Sequence, residues 1–166
     1  MGNVSIFTQN LLRIKYVLSF WGNIDARVDN KGRVPVPAPF RKLLQSEGAT
    51  ILMLKKDIFQ PCLSLFPTDV WNENVADLKA RLNTKWNERH QQLFRQYVMD
   101  VEQLEMDASG RILIPKRYVQ MLNITTDVRF LGVDNYIEIW PRTDLDKPLV
   151  TPDEFSKEIQ ELMADS

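Results

Sequence analysis

Two copies of one short motif carry the residues best suited to chemistry in this chain. Each copy places an aspartate four residues before an arginine, with a glycine directly before the arginine. Such an aspartate can accept hydrogen bonds from backbone N–H groups two residues on, and the glycine can adopt the positive φ that closes a tight turn. The aspartate can also pair with the arginine and fix the direction of its guanidinium. The copies are Asp29-Asn30-Lys31-Gly32-Arg33 and Asp107-Ala108-Ser109-Gly110-Arg111.

A guanidinium held in one direction suits nucleic acid, because its planar fork bonds guanine at two points or clamps a phosphate. Further basic residues lie near both motifs, although the chain has 21 Lys+Arg against 22 Asp+Glu and a formal net charge of −1. This balance excludes binding of nucleic acid through the overall charge of the chain. It does not exclude local basic patches that bind nucleic acid. The predicted DNA-contacting residues are Arg33, Lys31, Arg111, Arg41, Lys42, Lys116 and Arg117, and the predicted turn-orienting residues are Asp29, Gly32, Asp107 and Gly110.

Conventional metal and nucleophile chemistry has few residues available. One cysteine, Cys62, and one histidine, His90, exclude an intramolecular disulfide framework, a cysteine-based metal cluster and a site with several histidines. We interpret Cys62 as a small core residue and His90 as a packed, hydrogen-bonded helix residue. No run approaches eighteen apolar residues, so no membrane span is expected. The sequence therefore predicts a cytoplasmic protein that is not an enzyme, with no metal, no cofactor and no small-molecule substrate.

The elements around the two motifs also repeat in the same order. An alternating, strand-like segment precedes each motif, and a short strand, a short helix and two further strands follow it. The third strand is predicted from the matching runs Ile51–Leu54 and Val128–Leu131, and each copy ends in an aromatic residue and a proline, Phe66-Pro67 and Trp140-Pro141. The offset falls from 78 residues at the motifs to 74 at these prolines, so the first copy has about four extra loop residues.

We predict an α+β fold in which each unit is a β-hairpin, a short helix and a second strand pair. A unit of about 45 residues is marginal for a core of its own. The two units are therefore expected to share one core, in cis or between chains.

Helical spacing appears between and after the units. A first helix is predicted with its start capped by Thr68 or Asp69, and a second follows a break at Asn83-Thr84. Their apolar stripes are Trp71, Val75, Leu78 and Leu82, and then Trp86, His90, Leu93 and Tyr97. A last amphipathic helix begins at Thr151-Pro152-Asp153-Glu154, which combines an N-cap, a first-turn proline and a capping-box glutamate. Its apolar stripe is Phe155, Ile159 and Leu162.

Both motifs, with their flanking strands, resemble the paired motifs of the MraZ family of bacterial transcriptional regulators, in the AbrB-like superfamily. The likeness runs from about Phe20 to Trp140. It implies two AbrB-like units that form an intramolecular pseudo-dimeric β-barrel core, and ring-shaped homo-oligomers of the chain. It also implies nucleoid-associated, sequence-specific binding of short direct repeats in double-stranded DNA upstream of the division and cell-wall gene cluster. DNA contact by the motif arginine carries over onto Arg33 and, through the internal repeat, onto Arg111.

This interpretation divides the chain into five parts. They are an N-terminal extension at 1–20, a first AbrB-like repeat at 21–69, a helical connector at 70–98, a second repeat at 99–142 and a C-terminal helix at 143–166. The residues up to 18 precede the usual start of the family. We therefore expect them to be dispensable, with Val17 as a possible native start.

Two other classes of function stay open from the residues alone. Asp29 and Asp107 could meet as a carboxylate pair that shares a proton, as in a hydrolase, although the arginine after each glycine would keep its aspartate ionised. Alternatively, the helices around Trp71, Trp86 and Phe155 could belong to a structural or partner-binding oligomer without DNA contact. Binding to DNA from upstream of the protein's own gene would distinguish a regulator from both.

Overall fold

A computed structural model describes residues 18–165, which form eight strands, five α-helices and one 3₁₀ helix. The strands are β1 (Phe20–Arg27), β2 (Arg33–Pro35), β3 (Ile51–Lys56), β4 (Leu63–Pro67), β5 (Glu102–Glu105), β6 (Arg111–Leu113), β7 (Asp127–Asp134) and β8 (Tyr136–Pro141). The helices are α1 (Ala38–Ser46), α2 (Thr68–Arg81), α3 (Glu88–Met99), α4 (Lys116–Met121) and α5 (Pro152–Ala164), and the 3₁₀ helix is Arg142–Leu145. This mixture confirms the α+β prediction. Most of the predicted N-terminal extension, with Val17, lies outside the described residues.

Strands of the two repeats pair crosswise. A six-stranded antiparallel sheet has the order β1-β7-β8-β4-β3-β5, and β2 pairs with β6 in a separate two-stranded ribbon. The first strand of each repeat thus pairs with the third strand of the other repeat, β1 with β7 and β5 with β3. The two halves meet where β4 pairs with β8.

The predicted hairpin within each unit is correct only at its turn. Asp29 N–H donates to the Arg33 carbonyl at 2.8 Å, but beyond this bond β1 and β2 pair with strands of the other repeat. A three-residue strand that contains Pro35 supports only a short ladder, because proline donates no hydrogen bond. Pairing with β6 instead buries Val34 against Ile112, its register partner, in the core.

The hydrogen-bonded ladders found in residues 18–165 do not close into the expected barrel. β1 and β5 are the two edges of the six-stranded sheet, and no ladder joins them. β5 has only four residues, all of which pair with β3, and the ribbon forms a sheet of its own.

One hydrophobic core is built from both repeats, which confirms that the units share a core and shows that they do so in cis. Phe40 and Tyr118, which occupy matching positions in α1 and α4, are both completely buried in it. Phe40 also packs edge-on against Phe20 of β1, with 5.9 Å between the ring centroids. Cys62 is fully buried as well, and burial raises the pKa of its thiol, so the prediction of a core cysteine is confirmed.

The register corrects the predicted match between the third strands by one residue. Leu54 pairs with Leu65 in the first repeat as Phe130 pairs with Ile139 in the second, so Leu52–Leu54 corresponds to Val128–Phe130. The offset between repeats is then 76 at the third strands and 74 at the fourth. Two of the extra residues precede β3 and two lie in the loop from β3 to β4. The apolar runs hid this shift, because both alignments match hydrophobic residues at most positions.

Helices α2 and α3 pack around a second, smaller cluster. Trp71 of α2 stacks on Tyr97 of α3 with ring centroids 5.4 Å apart and planes within 5°. The predicted caps of α2 are wrong, since Pro67 precedes its first residue and the Thr68 hydroxyl donates to the Ile51 carbonyl instead. His90 is hydrogen-bonded as predicted, because its Nδ1 accepts from the Asn83 N–H at 2.9 Å.

The predicted apolar stripe of α3 is only partly correct. Trp86 precedes the N-cap Asn87 and is 87% exposed, and Leu93 is 47% exposed. Tyr97 of the predicted stripe does pack on the second cluster, together with Val98, which the prediction did not include. The capping box predicted at Thr151 and Glu154 is present at the start of α5. Across residues 18–165, none of the helices combines the length and apolar character needed to span a membrane.

Candidate nucleic-acid interface

The first D-x-x-G-R segment forms a closed turn that fixes its arginine. Asp29 Oδ1 accepts from the backbone N–H groups of Lys31 and Arg33, both at 2.9 Å, and Asp29 Oδ2 accepts from Arg33 Nε at 2.8 Å. Gly32 has a φ of +88° and donates its N–H to the Asp29 carbonyl at 3.0 Å. One carboxylate therefore holds the backbone of the turn and the guanidinium together.

The second segment repeats this geometry closely. Asp107 accepts from the backbone N–H groups of Ser109 and Arg111 and from Arg111 Nε, each at 2.9 Å, and Gly110 has a φ of +78°. The hydrogen bond from the arginine backbone N–H is the main cause that lowers the pKa of each aspartate, and the guanidinium adds to it. Both aspartates therefore stay ionised below the usual titration range of aspartate, and both ion pairs persist at neutral pH.

The β2–β6 ribbon places the two arginines on one face, at diagonally opposite corners. Val34 lies opposite Ile112 at its centre, and both side chains point into the core. Side chains alternate along a strand, so the outward face carries the other four residues of the ribbon. Arg33 lies opposite Leu113, and Arg111 lies opposite Pro35, so exchange of the two repeats maps the ribbon onto itself. We call Arg33, Pro35, Arg111 and Leu113 the ribbon face.

Backbone hydrogen bonds across the repeats tie each turn to the opposite strand. Ile114 N–H donates to the Gly32 carbonyl at 2.8 Å, and Val36 N–H donates to the Gly110 carbonyl at 2.9 Å. These bonds extend the ribbon at both ends. The relative positions of Arg33 and Arg111 are therefore fixed by backbone contacts.

A side chain at either motif glycine would meet an atom of the other repeat. A Cβ on Gly32 would lie 2.7 Å from the Ile114 carbonyl oxygen, and a Cβ on Gly110 would overlap Cδ of Arg41. Arg41 thus crosses from α1 of the first repeat onto the turn of the second. Its contact brings a predicted DNA-contacting residue beside Arg111, although the two are 70 positions apart in the sequence.

The structure separates the remaining predicted contacts into two groups. Lys31, Lys42 and Lys116 are exposed. Arg117 is held by its own protein, since its guanidinium pairs with Glu102, donates to the Asp100 carbonyl and lies over the Tyr118 ring. Arg117 is therefore less free than Lys31, Lys42 and Lys116 to turn toward a ligand.

Leu113 and Pro35 were not predicted as part of the site. Leu113 is 53% exposed and shares the outward face of the ribbon with the arginines. An exposed leucine between two arginines can contact the methyl group of thymine. Strand alternation placed it outward, but only the pairing of β2 with β6 showed that it lies beside Arg33.

The carboxylate-pair alternative does not fit this arrangement. Each aspartate is bound by three N–H groups of its own turn, and both pKa values are lowered, whereas a shared proton requires one raised value.

One other cluster of possible metal ligands stands out in the described part of the chain. Asp57, Cys62 and Glu138 have ligand atoms within 4.8 Å of one another. Glu138 already accepts hydrogen bonds from Trp140 Nε1 at 3.1 Å and from the Cys62 thiol at 3.6 Å. Protein donors thus satisfy this buried carboxylate.

Comparison with known proteins gives the family. A family model described as "MraZ protein, putative antitoxin-like" matches residues 98–163, which include the second motif and all but the last residue of α5. The chain is 51% identical to a protein of Bacteroides thetaiotaomicron named "Transcriptional regulator MraZ", over 90% of this chain and 95% of that protein. This chain belongs to the MraZ family.

Other members of the MraZ family extend this result. A Bacteroides fragilis protein with the same name is 52% identical over 89% of this chain and 92% of its own length. A Serratia proteamaculans member, also named "Transcriptional regulator MraZ", is 30% identical over 86% of this chain and 98% of its own length. The family resemblance inferred from the two motifs is therefore confirmed.

Proposed function

We propose that this chain is a sequence-specific, DNA-binding transcriptional regulator that contacts double-stranded DNA through the ribbon face and its two turns. The observation that carries the proposal is the pair of near-identical turns, which direct Arg33 and Arg111 from one face of a single ribbon. Relatives that span nearly the whole chain are named transcriptional regulators, which supports the same function.

The two Nη atoms of each motif guanidinium are suited to contact DNA bases. Each motif arginine uses Nε toward its aspartate, and within residues 18–165 its Nη1 and Nη2 atoms have no protein partner. Two such donors match the acceptors O6 and N7 of guanine in the major groove. A two-stranded antiparallel ribbon fits into that groove, so the arginines and Leu113 would reach base edges together.

The local positive charge favours binding of DNA at the ribbon face, although the chain as a whole is slightly acidic. Five of the six charged residues from Arg27 to Lys42 are basic. Lys31, Arg41 and Lys42 would contact phosphates on either side of the bases that the arginines bind. Contacts with phosphate supply much of the affinity of DNA-binding proteins and fix their position on the duplex. The basic residues around the turns would therefore position the ribbon, and the motif arginines would recognise the base sequence.

A ring-shaped homo-oligomer would compensate for the modest charge of one chain. We propose that several ribbon faces on one ring bind several short direct repeats upstream of the division and cell-wall gene cluster, in the nucleoid. Each further contact is then intramolecular, so weak single units give strong combined binding. The crosswise exchange of strands supports the AbrB-like, pseudo-dimeric interpretation of each chain.

Binding to the protein's own upstream DNA tests this function. Fluorescence anisotropy with labelled DNA from that region should give an affinity at least 1,000-fold higher than with scrambled DNA, since specific sites typically exceed non-specific ones by about 10³ or more. Both duplexes need the same length and the same salt concentration, because affinity depends steeply on salt. Equal weak affinity for both would contradict the proposal and favour a structural or partner-binding oligomer.

A further inference from the structure

The two ends of the ribbon face differ, although its backbone is symmetric. Exchange of the repeats puts Pro35 in the place of Leu113, at the same 78-residue offset as the motifs. Leu113 lies opposite Arg33, and Pro35 lies opposite Arg111. A leucine side chain extends away from its strand, whereas the proline ring closes back on its own backbone nitrogen. Arg33 therefore has an apolar side chain beside it that reaches outward, and Arg111 does not.

Arg41 makes a second difference between the ends. It lies across the buried Gly110 of the second turn, with Nε and Nη1 each 3.3 Å from the position of an added Cβ. Val119 occupies the matching position of α4 and packs against the hydrophobic core. The atoms nearest to an added Cβ at the first turn belong instead to Leu113 and Ile114. Within residues 18–165, a guanidinium of the opposite repeat thus lies against the second turn and not against the first.

This guanidinium is suited to bind an anion. Arg41 is half-buried and forms no ion pair with the described residues, whereas Arg111 beside it is paired with Asp107. An arginine fork bonds phosphate at two points, so a DNA phosphate fits this place. The first turn has Lys31 where the second has Ser109, and a lysine is a flexible point charge without a fork. The second end would therefore hold the DNA backbone in a more defined position than the first.

The spacing within the ribbon matches neighbouring base pairs. Directly opposite residues on antiparallel strands have Cβ atoms about 5 Å apart, and base pairs are stacked about 3.4 Å apart. Arg33 and Leu113 can therefore contact one base pair and the next. A guanine offers O6 and N7 to the arginine, and a thymine offers a 5-methyl group to the leucine.

We propose that the ribbon binds a non-palindromic DNA site in one fixed orientation, which Leu113 and Arg41 set. At the first end, Arg33 and Leu113 recognise a guanine beside a thymine. At the second end, Arg111 binds a guanine and Arg41 clamps the neighbouring phosphate. Two like ends would suit a palindrome, as the halves of a symmetric dimer do. This inference rests on the proposed function and adds the direction in which the ribbon reads DNA.

Removal of thymine methyl groups tests the first end. Each thymine of the upstream site is replaced in turn by deoxyuridine, and binding is measured by fluorescence anisotropy. At the contacted thymine the unchanged protein should bind about 4-fold more weakly, the value of one buried methyl group, and Leu113→Ala should lose nothing further. Leu149→Ala, which shortens an exposed leucine outside the ribbon, is the matched control and should show the full loss. No loss at any thymine, or an equal loss in Leu113→Ala, would overturn the inference.

Cleavage of DNA from the two turns tests the orientation. Asn30→Cys and Ala108→Cys place a thiol at matching exposed positions. The one natural cysteine, Cys62, is buried, so a DNA-cutting iron chelate attaches to the new thiol. Each chelate should cut on its own side of every bound site. Coincident cuts from both turns would refute a fixed orientation.

Loss of the extra guanidinium tests the second end. Added to either labelled protein, Arg41→Leu should weaken binding and add cuts on the opposite side. Lys42→Leu removes the same charge from an exposed position of α1 and should leave the cuts one-sided. Cuts that stay one-sided in Arg41→Leu would contradict the role of Arg41. Equal affinity for upstream and scrambled DNA would contradict the proposed function, whereas selective binding with coincident cuts would contradict this inference alone.

Discussion

Replacement of both Arg33 and Arg111 by alanine is expected to abolish detectable DNA binding while the protein stays folded. Loss of a bidentate contact to guanine costs about 1–3 kcal/mol, which is roughly a 5- to 150-fold loss of affinity per contact. Each chain loses two contacts, and an oligomer repeats that loss in every subunit. Arg33→Ala alone should weaken binding strongly, and Arg111→Ala equally or less, because the first turn also carries the exposed Lys31.

The salt dependence of binding separates the two kinds of contact that these arginines can make. If they read bases, the variants should lose their preference for operator over scrambled DNA. If they touch only phosphates, binding should fall evenly across sequences and the salt slope should shrink by about one per contact. Lys79→Ala/Arg81→Ala removes the same charge from α2 and is the matched control. A folded double variant with normal affinity and selectivity would refute the assigned contact.

Gly32→Ala should be the most damaging conservative change in the first turn. A non-glycine residue at positive φ costs about 1–3 kcal/mol of folding free energy. The new Cβ would also lie 2.7 Å from the backbone oxygen of Ile114, which cannot move without breaking the Ile114–Gly32 hydrogen bond. We expect a clear fall in the midpoint of urea unfolding, together with weaker DNA binding because the ribbon end shifts.

Substitution of two other glycines distinguishes the cost of a positive φ from the cost of the close contact at Gly32. Gly48 has a φ of +65° with nothing within 4 Å of its added Cβ, so Gly48→Ala should show the strain alone. Gly110→Ala would meet the flexible side chain of Arg41, which can move aside, and should fall between the two. A Gly32→Ala protein as stable as Gly48→Ala would show that the turn does not depend on this close approach.

The turns were predictable because their chemistry is local. Asp29, Gly32 and Arg33 lie within five residues, and the hydrogen bonds of that turn involve few atoms outside it. The capping box at Thr151 was found for the same reason. The internal repeat also predicted a shared core, since one unit has too few apolar residues for a core of its own.

The choice of strand partners could not be predicted from local signals. The turn after β1 reverses the chain, but the core decides that β1 pairs with β7 and that β2 pairs with β6. Local signals also could not predict that Arg41 lies over Gly110 or that Arg117 pairs with Glu102, because each contact joins residues that are distant in the sequence. Helical spacing likewise predicted an apolar stripe on α3. It did not predict which face of that helix packs against the rest of the protein.

Photo-crosslinking from the ribbon face tests most directly whether this face touches DNA. A benzophenone amino acid in place of Leu113, the exposed residue opposite Arg33, should crosslink to upstream DNA at far higher yield than to scrambled DNA. The same group in place of Asn72, exposed on α2 beside the second cluster, should give background yield. Efficient crosslinking from position 72 with none from position 113, in a protein that binds the DNA, would contradict the assignment of the ribbon face.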